Sequence, residues 1–226
     1  IGSMADQPRQ LTAPPRSTAR LLQYHDLSES IVSALDARDT YTASHSNRVA
    51  EMVLVLAAAL GLGPDETALI HIAAHLHDIG KIAVSDAVLR KAGPLTADEW
   101  QEMRRHPVTG YNILRRVADF QDIAVLVLHH HERWDGQGYP DGLSGADIPL
   151  GSRIIAVADS IDAMMSSRSY RAAMTGAACR CEIEKNSGIM YDPRVASAAL
   201  AHWDTLIGRY AADTPRAPYF DRLMLE

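Results

Sequence analysis

The chain has 226 residues, 47% of them hydrophobic, enough for one good-sized domain with a substantial core. With 22 basic and 28 acidic residues the net charge is -6, which argues against a duplex nucleic-acid binder but leaves room for a small phosphate ligand met by a few local cations. No apolar run reaches the roughly 20 residues of a helical membrane span, no secretory signal is visible, and the two cysteines, Cys179 and Cys181, read as reduced thiols.

Residues 1–19 are polar and proline-bearing and read as a flexible leader or linker, its opening IGSM a cloning remnant ahead of Met4. From residue 20 the spacing turns helical, with Leu22, Leu27, Ile31 and Leu35 on one stripe. SHSNRVAEMVLVLAAALGLG predicts a second helix with Ser44 as N-cap and Gly61 as stop. GPDETALIHIAAHLHDIGK predicts a third, begun near Pro64 and ended near Gly80. LTADEWQEMRRHPVTGYNILRRVADF carries a capping box, Thr96 with Glu99, and a bend or division at Pro107. FQDIAVLVLHHHERW is a short apolar helix. In LGSRIIAVADSIDAMMSS a buried strand competes over RIIAVA, and the length of the pattern favours helix. TGAACRCEIEKNSG and DPRVASAALAHWDTLIG predict one helix each, and residues 211–226 form a tail. Between them, residues 133–153 hold five glycines and two prolines without helical period, and so long a loop in a compact domain is more often functional than idle. The expectation is one all-α domain over residues 20–210.

Chemistry-bearing residues recur in apolar settings. In HLHDIGKI, residues 75–82, His77, Asp78 and Lys81 stand among Leu76, Ile79 and Ile82, which predict a dry environment. Read as helix, Lys81 shares a face with both His77 and Asp78. An inward-facing edge of imidazole and carboxylate suits a divalent cation, which stabilises the buried charge. His45 continues the stripe of Val49 and Met52. His106 precedes Pro107, His130 and His131 close an apolar helix, and Asp159 lies inside IIAVADSIDAM, where an unpaired carboxylate is expensive. Five segments therefore place ligand-type residues where solvent is expected to be absent. His71 and His75 have i, i+4 spacing but lack the glutamate of H-E-x-x-H, and read as structural or supporting. His25 and His202 read as surface or packing residues. Asp162 reads as a residue orienting a ligand, with an exposed helix position as the alternative, and Glu132 as one orienting histidines or waters. Trp134 either stacks on a base or pins the loop.

HSNRVA, HDIGK, KAGPLT..EW, HPVTG, HHERWDGQGYP, IAVADSIDAM and RSYR occur in the order found in HD-GYP domains, a bacterial branch of the HD phosphohydrolases, which the chain resembles from about residue 28 to 205. The resemblance implies a single helical HD-type domain with its Gly/Pro-rich loop near the active site, located in the bacterial cytoplasm. It also implies metal-dependent hydrolysis of cyclic di-GMP to linear pGpG or on to GMP. Alternatives are a low-activity cyclic-dinucleotide sensor or docking module, or a phosphohydrolase of another nucleotide such as pGpG. His45, His77, Asp78 and Asp159 are implied as ligands of one metal. Asp78 then bridges to a second metal held by His106, His130 and His131. Iron or manganese is the expected metal, with nickel, cobalt or zinc as options. Asp78 and Lys81 are the implied catalytic residues; Lys81, Arg168 and Arg171 match phosphate-contacting positions. Tyr139 is a candidate for contacting a base or a partner. A regulatory domain or a diguanylate-cyclase-type protein is the expected partner through the GYP loop, and a dimer is one open oligomeric option. Tyr41 stands where some members have the acidic residue of a third metal site, so two metals are expected. SRSYR replaces the common DRPYR, which loosens the segment bearing the arginines.

Overall fold

The computed structural model describes residues 18–36, 44–167 and 172–211. Tyr41, Arg168 and Arg171, and the proposed leader and tail up to residue 17 and from 212, lie outside the described residues.

Eleven α-helices and no strand occur among the described residues, in agreement with the all-α expectation. The first three are α1 (Thr18–Asp36), α2 (His45–Ala59) and α3 (Pro64–Leu76). A 3₁₀ turn (Ile79–Ala83) and the short α4 (Asp86–Leu89) follow. Pro107 divides the next predicted helix into α5 (Ala97–Met103) and α6 (His106–Leu114), since a proline tolerates only the first turn of a helix. Thr96 and Glu99 form the predicted capping box on α5, at 3.3 and 2.7 Å. Then come α7 (Gln121–Leu128), α8 (Leu150–Met165), α9 (Gly176–Lys185), α10 (Pro193–Ala201) and α11 (Trp203–Ala211). RIIAVA is helical within α8. The segment expected as one helix near the C-terminus breaks at His202, splitting it into α10 and α11.

Three local expectations are corrected. Ser44 does occupy the N-cap of α2, but in the left-handed region (φ 69°), and its side chain makes no capping hydrogen bond. The third helix stops at Leu76 rather than near Gly80, and the 3₁₀ turn carries the chain onward. Lys81 pairs with Asp78 at i, i+3. Ile82 is not dry: it is 54% exposed, whereas Leu76 and Ile79 are buried.

α2 packs on α3 and α8, while α3 is also covered by α1 and α7. This places α2 and α3 at the centre, which explains their nearly all-round apolar sequences: Val49 to Ala57 and Ala68 to Leu76 are each mostly buried. α6 packs on the 3₁₀ turn. Gly80 permits that approach, because a methyl group there would lie 1.9 Å from the His106 carbonyl oxygen.

His71 is buried inside α3 and donates from Nδ1 to the Ala50 carbonyl at 3.0 Å. Burial, reinforced by His25 beside it, pushes its pKa down to about 3. The unfolded chain takes up this proton below about 6.5 and the folded chain does not. Metal-free protein should therefore lose stability as pH falls below 6.5, by about 1.4 kcal/mol per pH unit from this group. Urea denaturation between pH 7 and 4 checks this, and His71→Gln should flatten the slope.

Candidate metal centre

Three helices end at one place. α3 ends just before His77, α5 ends three residues before His106, and α7 ends two residues before His130. The last carbonyls of a helix have no partner within it. Here they are met by the histidines that follow: His77 Nδ1 donates to Ala74 O (2.7 Å), His106 Nδ1 to Met103 O (2.8 Å) and His130 Nδ1 to Val127 O (2.6 Å). Each neutral ring is thereby left with a bare Nε2 lone pair. The helix ends also carry partial negative charge, which favours cations nearby.

Those lone pairs converge. His77 Nε2 lies 3.3 Å from His45 Nε2, and His106 Nε2 lies 3.3 Å from His130 Nε2. His45 Nε2 is 3.4 Å from Asp159 Oδ1. The Asp78 carboxylate sits between the two groups: Oδ2 is 3.4 Å from His77 Nε2 and 3.9 Å from His45 Nε2, while Oδ1 is 3.4 Å from His106 Nε2. The His131 ring lies 4.1 Å from that of His130, between centroids. All seven residues singled out from the sequence as metal-ligating thus lie together. Two sets have donor atoms close enough to share one cation each, His45–His77–Asp78 and His106–His130–His131. The donor chemistry fits divalent metals. Two acceptor nitrogens facing each other at 3.3 Å repel unless something positive lies between them, and imidazole with carboxylate is the ligand set of first-row cations.

The electrostatics agree with that demand for positive charge. Burial opposes a charge on His45, yet Asp159 and Asp162 lift its pKa to about 9. Burial likewise opposes ionising Asp78, but Lys81, His77 and His106 hold its carboxyl well below the usual range. Burial pushes His106 down to about 3, His131 to about 4 and His130 well below its ordinary value, so these three imidazoles are neutral, as ligands must be.

Surrounding residues sort themselves less uniformly. Asp162 is buried and accepts from His45 Nδ1 at 2.6 Å, in line with the orienting role and against the exposed alternative. Arg48, one turn along α2 from His45, donates to the same carboxylate at 2.5 and 3.1 Å. It was not singled out from the sequence, although its place in HSNRVA, i+3 from His45, was a usable signal. Glu132 orients no histidine: its Oε1 accepts from Asp141 N (2.8 Å) and Gly142 N (3.1 Å), so it straps the loop. His129 turns away and pairs with Asp141 at 2.9 Å. Lys81 Nζ lies 2.5 Å from Asp78 Oδ2, so the lysine is held at the junction of the two groups. Trp134 pins the loop: its backbone N–H donates to Met190 O and its ring lies 5.7 Å from the Arg153 guanidinium, which pairs with buried Asp192 at 2.5 Å. Tyr139 stacks on His131 (4.9 Å between centroids), with the Arg104 guanidinium 5.2 Å from its ring. The loop therefore does reach the cluster. His25, expected as a surface or packing residue, is buried against His71 and His75.

The HD domain family model matches residues 29–195, which is most of the chain. The chain belongs to the HD domain family. Its HDIGK and HHERWDGQGYP segments put it in the HD-GYP branch. Among curated HD-domain relatives it is 41% identical over 191 residues to the cyclic di-GMP phosphodiesterase response regulator RpfG of Xanthomonas campestris, covering 82% of this chain and 50% of that protein. It is 38% identical over 194 residues to 3'3'-cGAMP-specific phosphodiesterase 2 of Vibrio cholerae, covering 85% and 36%. The chain spans half or less of the length of these relatives. The crystal structure of a cyclic GMP-AMP-specific phosphodiesterase of V. cholerae has the same fold, with TM-score 0.66, 21% identity and coverage of 88% and 52%. No helix among the described residues is long and apolar enough to cross a membrane.

Proposed function

We propose that this HD-domain chain is a metal-dependent phosphodiesterase that hydrolyses cyclic di-GMP to linear pGpG or on to GMP. The observation that carries the reading is the Asp78 carboxylate shared between two converging imidazole groups. His45, His77, Asp78 and Asp159 would hold one divalent cation, and His106, His130 and His131 with Asp78 the other. Iron or manganese suits this nitrogen-and-oxygen set, which contains no thiolate. Two such cations supply Lewis acidity toward phosphoryl oxygens and acidify water. The chain's own residues supply placement and charge. Lys81, at the junction, neutralises the non-bridging phosphate oxygens and keeps Asp78 ionised. Asp162, gripped by Arg48, fixes the His45 tautomer so that Nε2 faces inward. Tyr139 holds the His131 ring and offers a hydroxyl and a ring edge beside the substrate. Arg168 and Arg171 would fork onto the phosphates. Residues 20–210 form the hydrolase unit in this reading, and two free cysteines suit a cytoplasmic location.

The V. cholerae relatives named for cyclic GMP-AMP favour a second reading, with that mixed dinucleotide as substrate. One experiment addresses both. Anaerobically purified protein, assayed for metal by elemental analysis, is incubated with each cyclic dinucleotide and the products are separated by chromatography. Linear dinucleotide is expected from cyclic di-GMP. Protein carrying two metals that binds the dinucleotide but leaves it intact is a sensor, and the hydrolase reading falls. Lys81→Ala should lower turnover by roughly 10²–10³-fold with metal content near the parent's. Loss of metal instead would make Lys81 a support for Asp78 alone.

A further inference from the structure

Helix α3 carries a second set of imidazoles, which the proposed hydrolytic centre does not use. His71 and His75 stand one turn apart, and His25 of α1 lies against both. Its ring stacks on His71 and meets His75 edge-on, each at 5.2 Å between centroids. All three are buried, at 5%, 1% and 4% exposure for His25, His71 and His75. One ring nitrogen from each lies within 4.8 Å of the other two. His75 is about 200° around the helix from His77, so the trio belongs to the α1 side of α3.

The protein alone leaves one nitrogen of His75 unserved. His71 gives its Nδ1 hydrogen to Ala50 O, which leaves a lone pair on Nε2. His75 Nε2 lies 3.2 Å from that lone pair. The other nitrogen of His75, Nδ1, is buried and has no hydrogen-bond partner. Such an orphan is uncommon in a folded interior and calls for a water, which leaves Nε2 as the nitrogen that would meet a cation. The 3.2 Å spacing nearly repeats the 3.3 Å of the His45/His77 and His106/His130 pairs. It also suits two nitrogens on a tetrahedral zinc, which at ~2.0–2.1 Å from the metal stand about 3.3 Å apart. A carboxylate lies beside the trio, since Glu29 Oε1 is 4.0 Å from His25 Nε2, with its side chain 30% exposed.

We propose that His25, His71 and His75, with Glu29 as the acidic fourth donor, bind one divalent cation of the zinc type that clamps α1 onto α3. Three neutral imidazoles and one carboxylate make a borderline donor set, better matched to zinc, nickel or cobalt than to magnesium or calcium. His25 precedes residue 29, where the match to the HD family model begins, so the site joins a residue outside that match to the helix that delivers His77 and Asp78. The clamp holds whether or not the neighbouring centre is a hydrolase.

The test counts metal rather than turnover. Protein stripped by chelation is reloaded with Zn²⁺, and separately with Co²⁺, and dialysed. His25→Gln should bind one equivalent fewer than the parent, with a matching loss of the visible absorption of tetrahedral Co²⁺. The His77→Ala/Asp78→Ala variant should retain one equivalent and lose it when His25→Gln is added. Hydrogen exchange across residues 18–36 should quicken when metal is withheld. Equal metal content in the parent and His25→Gln overturns the clamp and leaves an imidazole–imidazole hydrogen bond. Two equivalents in the parent and none in the His77→Ala/Asp78→Ala variant overturns the clamp while sparing the hydrolytic centre. Should His25→Gln fail to fold, Glu29→Gln replaces it: zinc affinity at least tenfold weaker supports the site, and unchanged affinity refutes it.

Discussion

Asp78→Ala, alone or with His77→Ala, should remove the metal of the hydrolytic centre and phosphodiesterase activity together while leaving helix content largely intact. The carboxylate faces both imidazole groups, through Oδ1 on one side and Oδ2 on the other. It also neutralises the Lys81 ammonium. Without it, each prospective cation loses a ligand and gains an uncompensated positive neighbour. Groups that merely support metal ligands are worth roughly 10–100-fold in affinity or activity, so a shared ligand should cost more than that. Asp78→Asn keeps the shape and removes the charge, and it should fail nearly as badly. Elemental analysis, circular dichroism and dinucleotide turnover on the same preparations check the prediction. A metal-free variant with full activity would rule out the centre altogether.

Gly80→Ala should be the most damaging change that touches no ligand. Its Cβ would fall 1.9 Å from His106 O, 2.8 Å from His106 C and 2.6 Å from Gly110 N, all backbone atoms that cannot swing aside. The 3₁₀ turn and α6 must therefore part. Overpacking usually costs about 1–3 kcal/mol, and the upper end or beyond is expected where backbone meets backbone. The same movement draws His106 away from Asp78, so metal stoichiometry should fall before the fold is lost. Gly63→Ala is the control: nothing lies within 4 Å of its added carbon. Thermal denaturation paired with metal analysis separates the two substitutions.

Most helices were legible because their apolar spacing and punctuation agree, as with Thr96 and Glu99 at one start and Pro107 at a break. The seven donors were legible for a different reason. His77, Asp78, His130, His131 and Asp159 sit in or at the end of apolar runs and His45 on an apolar stripe, where an uncompensated imidazole or carboxylate is costly and a shared cation relieves it; His106 was marked only by the proline after it. What escaped depended on distant partners. Nothing near His25 announces that α3 will cover it. Arg48 gains meaning only when α8 brings Asp162 to it, 114 residues further on. Glu132 is bonded to the backbone of a loop that folds back on it. The end of α3 at Leu76 was misplaced because His77 and Asp78 fit a helical period equally well; the close approach of α6 to Gly80 accompanies the tighter turn.

Three of the imidazoles owe their tautomer to main-chain oxygens of the preceding helix. A genetic change can delete a side chain but not a peptide oxygen, so at His77, His106 and His130 the choice of chelating atom is shielded from ordinary point substitution. His45 enjoys no such insurance. Its orientation is entrusted to Asp162, a replaceable carboxylate, and drift in a lineage that retained every chelating residue would erode the centre from that corner first.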